Sequence, residues 1–332
     1  MNHAEIGNDM MLRKDSKICK NGIEYGSTPM IVPSLSSRLT ANYHDLMEIA
    51  SNIITGPFLI SAFDSEYYCD WKFDFPSLIF LDSGGYECYQ MLGFEDIGID
   101  RSRVKNWTRP LHQNTIDEWT CEIPTIIISY DHPSEKLNYS EQISRAELLA
   151  IKFDEYAHEI LIKPSEQELF ISIDGIEAII GNISNFDILG FTEKTLGDSI
   201  FDRMINIAKI REIMSDHNVE MPIHILGSLD TLTTPLYFLS GADIFDGLSW
   251  LRYIFHENET HYQNSITPRL FGLDTNHFNL FIKTIVNNYD FIINMQDIFL
   301  EFINTEDFSL FGNHSGYFKD CYAKLIKHME GE

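Results

Sequence analysis

Short runs of β-branched and aromatic residues alternate with longer segments of helical period along most of the chain. Nearly continuous apolar runs at 29–34, 57–63, 78–81, 125–130, 169–173, 186–191, 222–226 and 243–245 predict eight strands. Such runs are expected of strands covered on both faces. Between them, segments 43–54, 140–160 and 200–214 place apolar residues at helical spacing and predict helices. The alternation predicts an α/β fold, and eight strands within about 220 residues fit a (β/α)8 barrel. A doubly wound open sheet needs a phosphate-binding turn such as GxGxxG after the first strand, and none is present. Beyond Trp250 the strand signals stop, and helices are expected over 278–288, 291–303 and near 317–328. With no repeat or Pro/Gly-rich linker, the expectation is one domain: a barrel over about 26–252 and a helical segment over 253–332. Segment 88–120 is long for a strand-to-helix connection, which predicts an insertion or lid at one barrel end.

Charge narrows the partners. The 332 residues carry a formal net charge of −26, which argues against indiscriminate adhesion to phosphate backbones or anionic membranes. A local basic groove remains compatible with it. No apolar run reaches the length of a transmembrane helix, and the first residues lack the apolar stretch of a signal peptide. The five cysteines form no CxxC pair, so reduced thiols in a cytoplasmic protein without membrane attachment are expected.

In a barrel of this kind the reactive side chains stand at the C-terminal strand ends. The third strand ends at Asp82 and runs into Ser83, Gly84 and Gly85. The fourth ends at Asp131 and the eighth at Asp246. One such Asp commonly caps the next helix. Three on one face favour a site, where carboxylates serve as nucleophile, acid/base or ligand anchor.

The same residues carry a resemblance. DSGGYE (82–87) resembles the DSGGFQ motif of the tRNA-guanine transglycosylase family, and GADIFDGLSWLR (241–252) is similar to that family's GVDMFDCVLPTR. GSTPMIVP, SYDHP, LFISIDG, HILG and NNYDFIINMQDIFLEFI fall in the family's order, so the resemblance spans residues 22–305. The family replaces a guanine in a nucleic acid by a free 7-deazaguanine base through double displacement. The resemblance implies Asp246 as nucleophile on the sugar C1′ and Asp82 as general acid/base. It implies base binding by Asp131, Ser83, Gly84, Tyr86, Gly190, Leu226 and Gly227, with Tyr86 and Leu226 sandwiching the ring. Arg252 would meet phosphate or orient the Asp246 loop.

Departures from the pattern bear on substrate and metal. Glu87 stands where the family has Gln and adds an expected negative charge, 173–175 lacks the base-reading Gln, and Gly247 replaces a Cys. The family's structural zinc needs a CxCxxC…H cluster, but 256–278 contains no cysteine. His256 and His261 are five apart and not HExxH, so neither metal nor cofactor is expected. The expected partners are a nucleic acid and a free 7-deazaguanine base, with a homodimer or a partner protein left open. Lacking the zinc cluster and an added RNA-binding segment, the chain favours DNA over tRNA. Arg101, Arg103, Lys105 and Arg109 form the best basic run for a passing phosphate backbone, and a solvated loop is the alternative. Two other readings stay open: a non-catalytic subunit of a nucleic-acid-modifying complex, and an exchanger or hydrolase of free nucleosides.

Overall fold

The computed structural model describes residues 16–39, 43–68, 72–88, 105–132 and 134–331. Its centre is eight parallel strands: β1 (Met30–Pro33), β2 (Pro57–Ser61), β3 (Leu78–Asp82), β4 (Thr125–Ile128), β5 (Ala157–Ile162), β6 (Ile188–Thr192), β7 (Ile223–Leu226) and β8 (Ile244–Gly247). The hydrogen-bonded order β1-β8-β7-β6-β5-β4-β3-β2, with a parallel bridge from Ser34 to Leu59, curls the sheet into a nearly closed barrel. The fold is the α/β (β/α)8 barrel that the alternation predicts.

Successive side chains on each strand point to opposite faces, and the two faces have separate cores. Ile31, Ile79, Leu81, Ile127, Ile160, Leu189, Ile225 and Phe245 face outward and join the apolar sides of the helices. Met30, Val32, Leu59, Leu78, Phe80, Ile126, Ile128, Ala157, Leu161, Ile188 and Ile244 fill the interior. By the same parity Ser34, Asp82, Glu159, Gly190, His224, Leu226 and Asp246 also point inward. The interior is therefore apolar at the strand starts and polar toward their ends.

The start of the barrel is plugged by a hairpin, Lys17–Lys20 and Ile23–Ser27, which adds Ile18 and Tyr25 to the interior core. Its turn is Asn21-Gly22, both at positive φ, as a two-residue hairpin requires.

Three sequence expectations need correction. The fifth strand is Ala157–Ile162, not 169–173: Leu169 is 84% exposed, and a helix, Ile173–Ile179, starts on the Ser172 cap. Helix Tyr139–Lys152 accordingly stops well before residue 160, and Asp174 lies in a helical first turn rather than at a strand end. A second hairpin, Tyr253–His256 with Glu259–Tyr262, follows the barrel where only helices were expected. The two helices expected over 278–303 are one, His277–Thr305, because no Pro or Gly interrupts them.

Asn288, fully buried on that helix, fastens the segment behind β8. Its amide donates to the carbonyls of Trp250 and Tyr253, and its oxygen accepts from Phe255 N at 2.8 Å. Asn288→Ala strands three buried backbone groups. A loss of about 2–4 kcal/mol, read as a lower denaturation midpoint, is expected from the cost of unpaired buried polar groups.

Candidate active site

Asp246 is the penultimate residue of β8 and is 6% exposed. Among the described residues two hydrogen-bond donors and an imidazole meet its oxygens. Ser34 Oγ donates to Oδ2 at 2.7 Å, and Gly227 N donates to Oδ1 at 2.9 Å. His224 Nε2 lies 3.3 Å from Oδ1, an ion-pair distance, without the alignment of a hydrogen bond. Ser34 is itself fixed, since Trp250 Nε1 donates to its carbonyl at 3.0 Å.

Behind His224 stands Glu159, both side chains fully shielded from solvent, with His224 Nδ1 2.9 Å from Glu159 Oε2. Burial opposes a charge on the imidazole. The carboxylates of Glu159 and Asp246 outweigh it and push the His224 pKa up to about 10. The acid tip of Glu159 fits because residue 190 is glycine: a Cβ there would meet Glu159 Oε1 at 2.2 Å. Sequence reading missed Glu159 and His224. A charged residue at an inward position of an otherwise apolar strand was the available signal.

Asp82 ends β3, and Gly84 N donates to its Oδ2 at 3.2 Å, so it also caps the turn that follows. Burial raises its pKa to about 6 against the lowering backbone bonds from Gly84 and Ser83, and the charges of Asp246 and Asp131 add to the rise. The strands thus bring the three predicted carboxylates into one electrostatic neighbourhood. The DSGG turn is tightly built. Gly84 has φ +86°, and a Cβ there would lie 2.6 Å from Phe63 Cβ. Trp107 Nε1 donates to Ser83 O at 2.7 Å.

Asp131 sits beside this turn, with Ser83 Oγ 3.4 Å from its carbonyl. Lys163, from just past β5, pairs with Asp131 at 2.9 Å and donates to Thr192 Oγ1 at 2.7 Å, joining three strand ends. A cavity of about 50 Å³ opens there, lined among others by Tyr130, Asp131, His132 and Lys163.

The remaining predicted residues that the structure describes do not form one cluster. Leu226 packs on the interior core, close to Gly190. Tyr86 is 36% exposed with the Arg38 guanidinium 4.8 Å from its ring centre. Arg252 ends the short helix Ser249–Arg252 and lies 6.0 Å over the Tyr253 ring. Arg101 and Arg103 lie outside the described residues. Lys105 sits over the Tyr67 ring, and Arg109 pairs with Glu135 at 2.7 Å.

Glu87 corrects an expectation of charge. It is 3% exposed and accepts from Ser36 Oγ at 2.6 Å. Burial, then the charges of Asp64 and Asp82, raise its carboxyl well above the usual range, favouring the uncharged acid. A protonated Glu offers a donor and an acceptor, as the family's Gln does.

Among the described residues one group has the spacing of a metal site, His44, Asp45 and Glu48 on the surface helix Tyr43–Ile53. His256 and His261 are diagonal neighbours on the second hairpin, where His256 pairs with Glu259 and His261 with Ile254, and their ring centres are 6.4 Å apart. No helix among the described residues is long and apolar enough to cross a membrane. No family model matches the chain, and no curated protein matches it.

Two outcomes follow from the geometry. His224 is more basic folded than its ordinary 6.5, so its stabilisation is complete below about pH 6.5 and is lost as pH rises through about 10. The melting temperature should fall over that window, and His224→Gln should flatten the fall. Gly190→Ala should cost about 1–3 kcal/mol, the usual penalty for overpacking, read by denaturant unfolding.

Proposed function

We propose that this chain is a base-exchange glycosyltransferase that replaces a guanine in a nucleic acid, DNA before tRNA, by a free 7-deazaguanine base. The observation that carries the reading is the different surroundings of two carboxylates at one barrel mouth. Among the described residues Asp246 accepts from Ser34 and Gly227, while burial pushes the Asp82 pKa up to about 6. Environments that separate two carboxyl groups in this way define a nucleophile and an acid/base partner.

The chemistry balances on these two groups. An Asp246 oxygen bonds to C1′ as the bond from C1′ to guanine breaks, the electron pair leaving with the base and a proton passing to it from Asp82. The incoming base then attacks C1′ and releases the Asp246 carboxylate, and Asp82 takes up the proton that the incoming base loses. The positive charge at C1′ develops beside a carboxylate, the arrangement that glycosyl transfer uses. Asp131, Tyr86 and Leu226 supply an edge acceptor and apolar faces for a flat ring. The net charge of −26 favours a second substrate class, the free nucleoside, on which the same steps operate.

The test offers duplex DNA, tRNA and guanosine separately, each with labelled guanine. Wild type should incorporate label into DNA and form a denaturation-stable adduct when free base is withheld. Asp246→Ala should form none. Asp82→Asn should slow adduct formation on the order of a hundredfold, the usual size of an acid/base contribution. The first half-reaction needs protonated Asp82, so adduct formation should slow as pH rises above about 6. Label entering guanosine alone would overturn the polynucleotide reading.

A further inference from the structure

Asp246 does not stand alone at its strand end. Asp246, His224 and Glu159 form a line from the barrel mouth into its centre, with contacts of 3.3 and 2.9 Å. Among the described residues the other neighbours of the imidazole are uncharged. The Phe80 ring meets it edge-on at 5.5 Å, and Gly190 is its register partner on β6. Glu159 from β5 and Asp246 from β8 are the charged groups facing the ring.

We propose that Glu159 and His224 are positioning residues for Asp246: the imidazolium holds Oδ1, and Glu159 cancels the imidazolium's charge at the barrel mouth. The proposal rests on the base-exchange reading above. A carboxylate in double displacement meets two opposed demands. Its oxygen must depart again when the glycosyl ester breaks, which an adjacent cation assists. The oxocarbenium-like centre needs net negative charge nearby, which a lone cation would neutralise. The Glu–His–Asp line satisfies both, carrying one net negative charge at rest and none once Asp246 is esterified. Among the described residues Oδ1 is met by Gly227 N and His224, and Oδ2 by Ser34. Oδ2 is therefore the oxygen that bonds to C1′ as the bond to the base breaks. The electron pair leaves with the base, and His224 keeps its proton in both half-reactions.

The experiment compares the full-length chain with its Glu159→Gln variant, after circular dichroism shows that the variant is folded. Side-chain NMR follows His224 through pH, and rapid quenching follows adduct formation on DNA beside a DNA-binding titration. The expected result is a variant His224 that deprotonates at lower pH than in wild type. Adduct formation should fall on the order of a hundredfold, as for a misplaced reacting group, with DNA binding unchanged. Its rate in the variant should also fall more steeply with pH than the wild-type rate does, the excess lying across the range where His224 now titrates. A folded variant with the wild-type adduct rate overturns the proposal. So does a wild-type His224 that is neutral at about pH 8, as an unpaired imidazole is, and that observation needs no variant. A wild type that forms no adduct on any substrate refutes base exchange instead, and the wild-type titration then judges the charge line by itself.

Discussion

An ion triad inside an apolar barrel is the constraint on which the rest of the site depends. Charges removed from water cost several kcal/mol each unless geometry repays them. Here repayment needs three strands in fixed register, because Glu159, His224 and Asp246 come from β5, β7 and β8. β6 lies between the first two and must carry no side chain at position 190. Ser34 at the end of β1 and Gly227 after β7 complete the donors to Asp246. A slip of one residue in any of these strands would turn its member outward and leave an unpaired buried charge. The same arrangement that disfavours misregister also presents a carboxylate at the mouth with its orientation set.

On the opposite side of the mouth the logic is reversed. Around β1, β2 and β3 the chain buries Asp64 and Glu87 beside Asp82, and desolvation with mutual repulsion raises the pKa of Asp82 and of Glu87. Arg38, 3% exposed, donates to the Tyr86 carbonyl and braces this turn. One part of the mouth thus holds a carboxylate among donors, and another holds Asp82, whose pKa burial pushes up to about 6. A glycosidic bond placed between them would find each where the chemistry needs it.

Much of this was legible in the residues alone. Seven of the eight strands announce themselves as apolar runs, because a parallel strand is covered on both faces. Asp82, Asp131 and Asp246 were visible through their strand-end positions. The fifth strand was hidden because the helical period of 139–152 continues toward it without a Gly or Pro break, and pairing with β4 and β6, not propensity, decides its state. The first hairpin had its signal in Asn21-Gly22. The second turns on Glu257-Asn258, a weaker sequence cue for two positive φ angles. Glu159 and His224 are 65 residues apart in sequence, and only barrel closure makes them neighbours.

The central claim is that Asp246 becomes covalently bonded to sugar during exchange. Peptide mapping by mass spectrometry of the chain quenched with DNA in the absence of free base tests it most directly. The account predicts a nucleoside-sugar mass on the peptide that contains Asp246, with its fragment ions placing the modification on that residue. A modification on the peptide bearing Asp82, or turnover with label incorporated and no modified peptide, would contradict it.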